Sequence, residues 1–174
     1  TLYGLMLASG NDAAVAIAGE CGGMTAFVGK MNAKAAELGL TDTHFDNPNG
    51  LPSDTHYTTA HELAKITAAA LKDPVFRQIV STKSCTVSGH ALSNHNRLLS
   101  MYDGAIGVKT GFTRAAGRCL VSAAERNGRT IIAVTLNDPN DWNDHREMLD
   151  AGFAQYSEVT LHKAGDTIAN ARVF

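Results

Sequence analysis

Residues 106–136, IGVKTGFTRAAGRCLVSAAERNGRTIIAVTL, decide the fold. They contain three strand-like runs, Ile106 to Thr113, Arg118 to Arg126 and Thr130 to Leu136, and Asn127-Gly128 between the last two is a strong hairpin signal. Three such runs in close order predict an antiparallel meander. After Asp138-Pro139, the residues Trp142, Met148, Leu149 and Phe153 recur at helical spacing, so Asp141 to Tyr156 is expected to form a helix packed on that sheet.

Upstream of the meander the pattern is helical. Leu2 to Ala18, LYGLMLASGNDAAVAIA, reads as a buried helix bent at Ser9-Gly10-Asn11-Asp12, because Gly is costly inside a helix and Ser, Asn and Asp compete for its backbone. Thr25 is expected to cap a helix running to about Leu38, which Gly39 ends. Leu40 to Tyr57 holds two of the four prolines and no sustained period, a loop too long to be a mere connection. Thr59 and Glu62 form a capping box for a helix to Leu71, and Asp73-Pro74 opens a short helix to Val80. Ser84 to Val87 is a strand candidate followed by a polar stretch. Helices, then a meander, then a helix make the class α+β.

Composition narrows the functions. A chain of 174 residues predicts one domain or a little more, and 44% hydrophobic with 18% charged residues excludes disorder. Fifteen basic against seventeen acidic residues give a net charge of −2 with no like-charged run, which excludes a nucleic-acid footprint and a polybasic membrane patch. The odd cysteine count, Cys21, Cys85 and Cys119, points to buried small hydrophobes rather than a disulfide framework, with one pair left open. No stretch approaches the ~20 apolar residues of a spanning helix, and Thr1 onward lacks a signal-peptide layout. Both ends read as cut: the first residues already run at helical spacing, and Val159 to Phe174 stops without a closing element.

Several motifs fail on chemistry. His61-Glu62-Leu63-Ala64-Lys65 has Lys65 where a zinc helix needs its second imidazole, and His90 with His95 lacks a third suitably spaced ligand, so no metal or cofactor is expected. Lys109-Thr110-Gly111 lacks the upstream glycines of a phosphate loop. Two tripeptides carry more weight together. Ser9-Gly10-Asn11 interrupts a buried helix and Lys109-Thr110-Gly111 lies in the first strand of the meander, the layout of enzymes in which S-x-x-K, S-x-N and K-T-G share one cleft.

On these motifs, and on FDNPNGLPSDTHYTTAHELA, NHNRLL and DGAIGVKTGFTRAAGRCLVSAAERNGR, the chain resembles the low-molecular-mass penicillin-binding proteins, the D-alanyl-D-alanine carboxypeptidases of the peptidase S11 type. The resemblance implies a penicillin-binding protein/serine β-lactamase-like fold. It makes residues 1–157 a partial catalytic domain and 158–174 the start of a β-rich C-terminal domain. No S-x-x-K occurs in the chain, so the resemblance also implies a fragment lacking that N-terminal segment and inactive by itself.

For the intact enzyme the resemblance implies that a serine attacks the carbonyl between two D-alanines of a peptidoglycan stem peptide and that penicillins acylate the same serine. Ser9 would relay a proton and Asn11 would hold the substrate amide and the missing lysine. Lys109 would keep the cleft positive, and Thr110 would donate to the terminal carboxylate. Gly111 would let the peptide pair with the strand, and the Phe112 N–H would serve the oxyanion. Arg146 is a candidate carboxylate ligand. The implied workplace is outside the cytoplasmic membrane. A non-catalytic peptidoglycan-binding module is the alternative; a class A-like β-lactamase is disfavoured because the loop reads Asp46-Asn47-Pro48-Asn49 without a glutamate, leaving Asp46 as its only base. Without a central helix the remainder is expected to bare a large apolar surface, met by self-association with a partner copy, by a swapped segment or by poor solubility.

Overall fold

The computed structural model describes residues 1–155 and 165–167. The polar break in the first apolar run becomes a joint between two helices, α1 (Leu2–Ala8) and α2 (Asn11–Glu20). Ser9 takes the left-handed conformation, φ 55° and ψ 38°, and its N–H returns to the Gly4 carbonyl. A continuous helix would bury this serine in the stack of turns; the joint instead turns it outward.

Next comes α3 (Met24–Glu37). It begins behind Gly23 at φ 92°, so Thr25 lies inside the helix and does not cap it. Gly39, at φ 69°, ends it as expected, and the Leu40 N–H closes on the Ala35 carbonyl. The loop 40–58 folds against α4 (Ala60–Ala70). Thr59 accepts from the Glu62 N–H, half of the expected capping box. The Glu62 carboxylate does not reach back; it accepts from the Thr41 and Asp42 N–H groups and, at 2.5 Å, from the Thr43 hydroxyl. One buried carboxylate thus fastens both a helix start and a long loop. Helix α5 (Pro74–Ser81) begins as predicted, with Asp73 accepting from the Val75 and Phe76 N–H groups.

The polar stretch after β1 (Ser84–Val87) contains two further elements, β2 (His90–Ser93), paired antiparallel with β1, and α6 (Leu98–Met101). The expected meander follows as β3 (Ala105–Thr113), β4 (Gly117–Arg126) and β5 (Arg129–Thr135), antiparallel in that order. Asn127 at φ 52° and Gly128 at φ 76° make the hairpin. The last helix, α7 (Asp141–Gln155), lies on one face of this sheet.

The sheet is covered on both faces, which is why the middle of its central strand, with Leu120, Ser122, Ala123 and Ala124, is buried. On one side Leu98, Tyr102, Leu120, Ala124, Ala133 and Leu149 form a core with α6 and α7. On the other, Val108 and Ala123 pack with Val80 of α5, and Met6 of α1 reaches the same cluster. The apolar pattern of α7 gives part of its packed side: Leu149 is fully buried, and Trp142 and Phe153 pack against the same core. Met148 is 38% exposed, and the buried positions are Asp141, His145 and Leu149, two of them polar and each with partners in the sheet.

Leu2, Val15 and Met24 are exposed apolar side chains on the first three helices. A shallow groove of about 420 Å³ runs between α1, α2 and the β1–β2 hairpin, lined by Gly4, Ala8, Ala13, Ala16, Val87 and Leu92 among others. All three cysteines are free. No described helix is long and apolar enough to cross a membrane. The expected second domain, 158–174, lies outside the described residues except for 165–167.

Candidate active site

The left-handed turn at Ser9 aims its hydroxyl at β3, where the Lys109 ammonium donates to Ser9 Oγ. Lys109 also donates to the Thr110 carbonyl at 2.6 Å. Among the described residues no carboxylate pairs with this lysine, and burial pushes its pKa down to about 8. A lysine so placed is a cation held in readiness for an anion, with only a modest grip on its own proton.

Around this bond opens a cleft of about 310 Å³. Ser9 and His95 line one wall, Thr110, Gly111 and Phe112 the floor, and Arg118, Cys119, Asp141 and Trp142 the far end. The segment bearing His95 is tied to α1 by the bond from the His95 N–H to the Leu7 carbonyl, and Asn94 braces it on the Val80 and Thr82 carbonyls. The floor is the edge strand of the sheet. Phe112 is 71% exposed, and no strand flanks β3 on its outer side among the described residues. The edge is therefore open to an extended peptide.

The far end is built by an ion pair. Arg118, paired across the ladder with Phe112, donates from Nε and Nη2 to the Asp141 carboxylate, the shortest contacts being 2.8 Å. Asp141 is 2% exposed and opens α7, where a negative charge suits the helix dipole. The guanidinium lies 5.6 Å from the ring centroid of Trp142. Its Nη1 has no protein partner among the described residues and is free for a ligand.

Of the residues expected from sequence, Ser9, Lys109, Thr110, Gly111 and Phe112 are brought together. Asn11 is exposed on the first turn of α2 and does not line the cleft, although it lies two residues from Ser9. Arg146 is exposed on α7 and is also absent from the cleft wall. The cation there is Arg118, which sequence reading passed over as part of a strand; its position directly after the turn that closes β3 was the available signal. Asp46 does not line the cleft, and its carboxylate is engaged by the Thr55 hydroxyl at 2.8 Å and by His44 at 3.2 Å. Hydrogen bonds from Ser53 and Thr55 hold it below the usual carboxylate range, so it does not act as a base on anything bound at Ser9.

The family model of the peptidase S11 D-alanyl-D-alanine carboxypeptidases matches residues 1–140. The chain is 41% identical over 173 residues to a D-alanyl-D-alanine carboxypeptidase of Streptomyces sp. strain K15, covering 88% of this chain and 60% of that protein. It is 42% identical to a D-alanyl-D-alanine carboxypeptidase of Mycobacterium tuberculosis, covering 92% and 59%. Among solved structures, the Streptomyces K15 DD-transpeptidase superposes with a TM-score of 0.82 at 41% identity, covering 87% of this chain and 66% of that one. A penicillin-binding protein homologue from Mycobacterium tuberculosis gives 0.85 at 40% identity, covering 92% and 65%. The fold is that of these penicillin-binding protein and DD-transpeptidase structures. Within it, this chain belongs to the peptidase S11 family of D-alanyl-D-alanine carboxypeptidases. It spans about 60% of the length of these curated relatives.

Proposed function

We propose that the protein to which these residues belong is a serine-type D-Ala-D-Ala carboxypeptidase. It trims the terminal D-alanine from peptidoglycan stem peptides through an acyl-enzyme, outside the cytoplasmic membrane, and is acylated by penicillins. The observation that carries this reading is the bond from Lys109 to Ser9 across a cleft floored by an open strand edge.

Each residue then has a task set by its chemistry. The peptide lies antiparallel on β3, with Gly111 leaving room for its backbone. Thr110 donates its hydroxyl to the terminal carboxylate, and Arg118, through the free Nη1, takes the place the sequence reading gave to Arg146. The Phe112 N–H is one oxyanion donor. Ser9, bonded to Lys109, relays a proton towards the leaving amine, and the Lys109 charge favours the anionic substrate. Asn11, exposed beside the cleft and not part of its wall, is left the other half of the role the resemblance implies, holding the lysine of the S-x-x-K segment. The nucleophile is supplied by an S-x-x-K segment, which these 174 residues do not contain.

Fluorescent penicillin tests the reading. The whole gene product is expected to form a covalent, hydroxylamine-sensitive adduct, and the 174 residues alone none. An unlabelled whole gene product that still binds peptidoglycan would establish the non-catalytic module instead.

A further inference from the structure

Beneath the far wall of the cleft lies a histidine to which the proposed chemistry gives no role. His145 is wholly buried. Its Nδ1 is 2.5 Å from the Ser122 hydroxyl on β4, and its Nε2 is 3.0 Å from the Thr135 hydroxyl on β5. Ser122 is itself fully buried. One helical turn earlier, on the same face of α7, stands Asp141 with Arg118 in its grip. Two polar residues four apart on one helix are thus matched to Arg118 and Ser122, four apart on one strand. Trp142, between them in sequence, forms the wall itself.

We propose that His145 is a positioning residue for the carboxylate end of the cleft: by bonding two strands at once it fixes the first turn of α7, and through Asp141 the guanidinium of Arg118. The inference rests on the carboxylate role given to Arg118. An apolar residue at 145 would also fill the space, but it would strand the buried Ser122 hydroxyl, take away the partner of the half-buried Thr135 hydroxyl and leave the turn free to slide. The two ring nitrogens serve both hydroxyls best as a neutral imidazole, one donating and one accepting.

Burial holds the ring neutral, with its pKa pushed down to about 4 against the opposing pull of Asp141, Asp138 and Asp144. The other charged group near this end is Arg118 from β4, already paired with Asp141, while β5 contributes Thr135 with Ala133 and Ile131 behind it. Acid should therefore charge the ring and loosen the wall.

Two readouts test this. In the whole gene product, benzylpenicillin and its methyl ester are compared as acylating agents, since only the first offers a carboxylate. His145→Gln and Arg118→Gln should each cut the preference for the acid by about tenfold, within the ~100-fold that a small misplacement can cost. The double variant should lose no more than either single one. A His145→Gln preference equal to wild type while Arg118→Gln has lost it overturns the proposal, as does full additivity.

The second readout needs no activity. Trp142 is the one tryptophan of these 174 residues, so in the whole gene product, with any tryptophan elsewhere replaced by phenylalanine, acrylamide quenching of its emission reports the wall. His145→Gln and His145→Asn should show at about pH 7 the accessibility that wild type reaches only near pH 4. If the wild type shows no acid-over-ester preference, the role of Arg118 falls, and quenching alone decides. If neither variant folds, the wild-type acid titration decides, and quenching that stays constant down to about pH 3.5 overturns the proposal.

Discussion

Lys109 concentrates the chemistry of the cleft in one side chain. With burial holding its pKa at about 8 and no carboxylate beside it among the described residues, its charge is present at neutral pH and lost on the alkaline side. Penicillin acylation of the whole gene product should therefore fall above about pH 8 with one ionisation, and Lys109→Gln should remove that limb together with most of the rate. Stability carries the opposite sign. The unfolded lysine keeps its proton up to about pH 10.4, so the folded state gains relative stability as pH rises through that window. At the other end of the site, Arg118→Gln should weaken acylation by carboxylate-bearing β-lactams by about tenfold, as loss of one charge-assisted contact would. Arg146→Gln should leave it unchanged, which stopped-flow acylation rates would show. These two arginines mark where sequence reading succeeds and fails. Motif spacing found Ser9 and Lys109 because their chemistry is written in tripeptides. Arg118 belongs to no tripeptide; only the β3–β4 register brings it to the substrate end.

At the level of elements, polar anchors decide what hydrophobic periodicity cannot. Glu62 holds the Thr41 and Asp42 N–H groups and the Thr43 hydroxyl, so Glu62→Ala should release loop 40–58 before it melts the sheet. Limited proteolysis should show new cleavage within that loop at temperatures where the meander is still protected, with a stability loss of about 2 kcal/mol by denaturant titration. Asp73→Ala should cost about 1 kcal/mol through the lost cap of α5 and leave the cleft intact. The same distinction explains which elements were legible in the sequence. The meander and its Asn127-Gly128 turn were, because strand period and turn chemistry agree. Strand β2 was not, because HALS between Gly89 and Asn94 is short and polar and is a strand only through its pairing with β1. The single turn of α6 was hidden in NHNRLL for the same reason of length. The apolar part of the packed stripe of α7, Leu149 with Trp142 and Phe153, was legible, whereas its polar members Asp141 and His145 look solvent-facing until their partners are known.

For the whole molecule, acid is the expected weakness. His145 titrates near 6.5 when unfolded and near 4 when folded, so its contribution is complete above about pH 6.5 and is lost as pH falls toward 4. Thermal denaturation should show the melting temperature dropping through that interval, and His145→Gln should flatten the drop while lowering the plateau. The exposed Leu2, Val15 and Met24 and the groove between α1, α2 and the first hairpin give the self-association expected from sequence a physical location. Sedimentation velocity should show mass rising with concentration, and Leu2→Asp together with Val15→Asp should suppress the rise.

The bare outer margin of β3 has a cost as well as a use. Unsatisfied amide and carbonyl groups along a strand will accept any extended chain, including another molecule of the same kind, and so seed fibrous assembly. A half-buried cation beside that margin is a natural gatekeeper, because stacking two such molecules would bring two ammonium groups into a dry seam. Neutralising Lys109 would therefore do more than silence chemistry: it would remove the charge that keeps neighbouring molecules from zipping together.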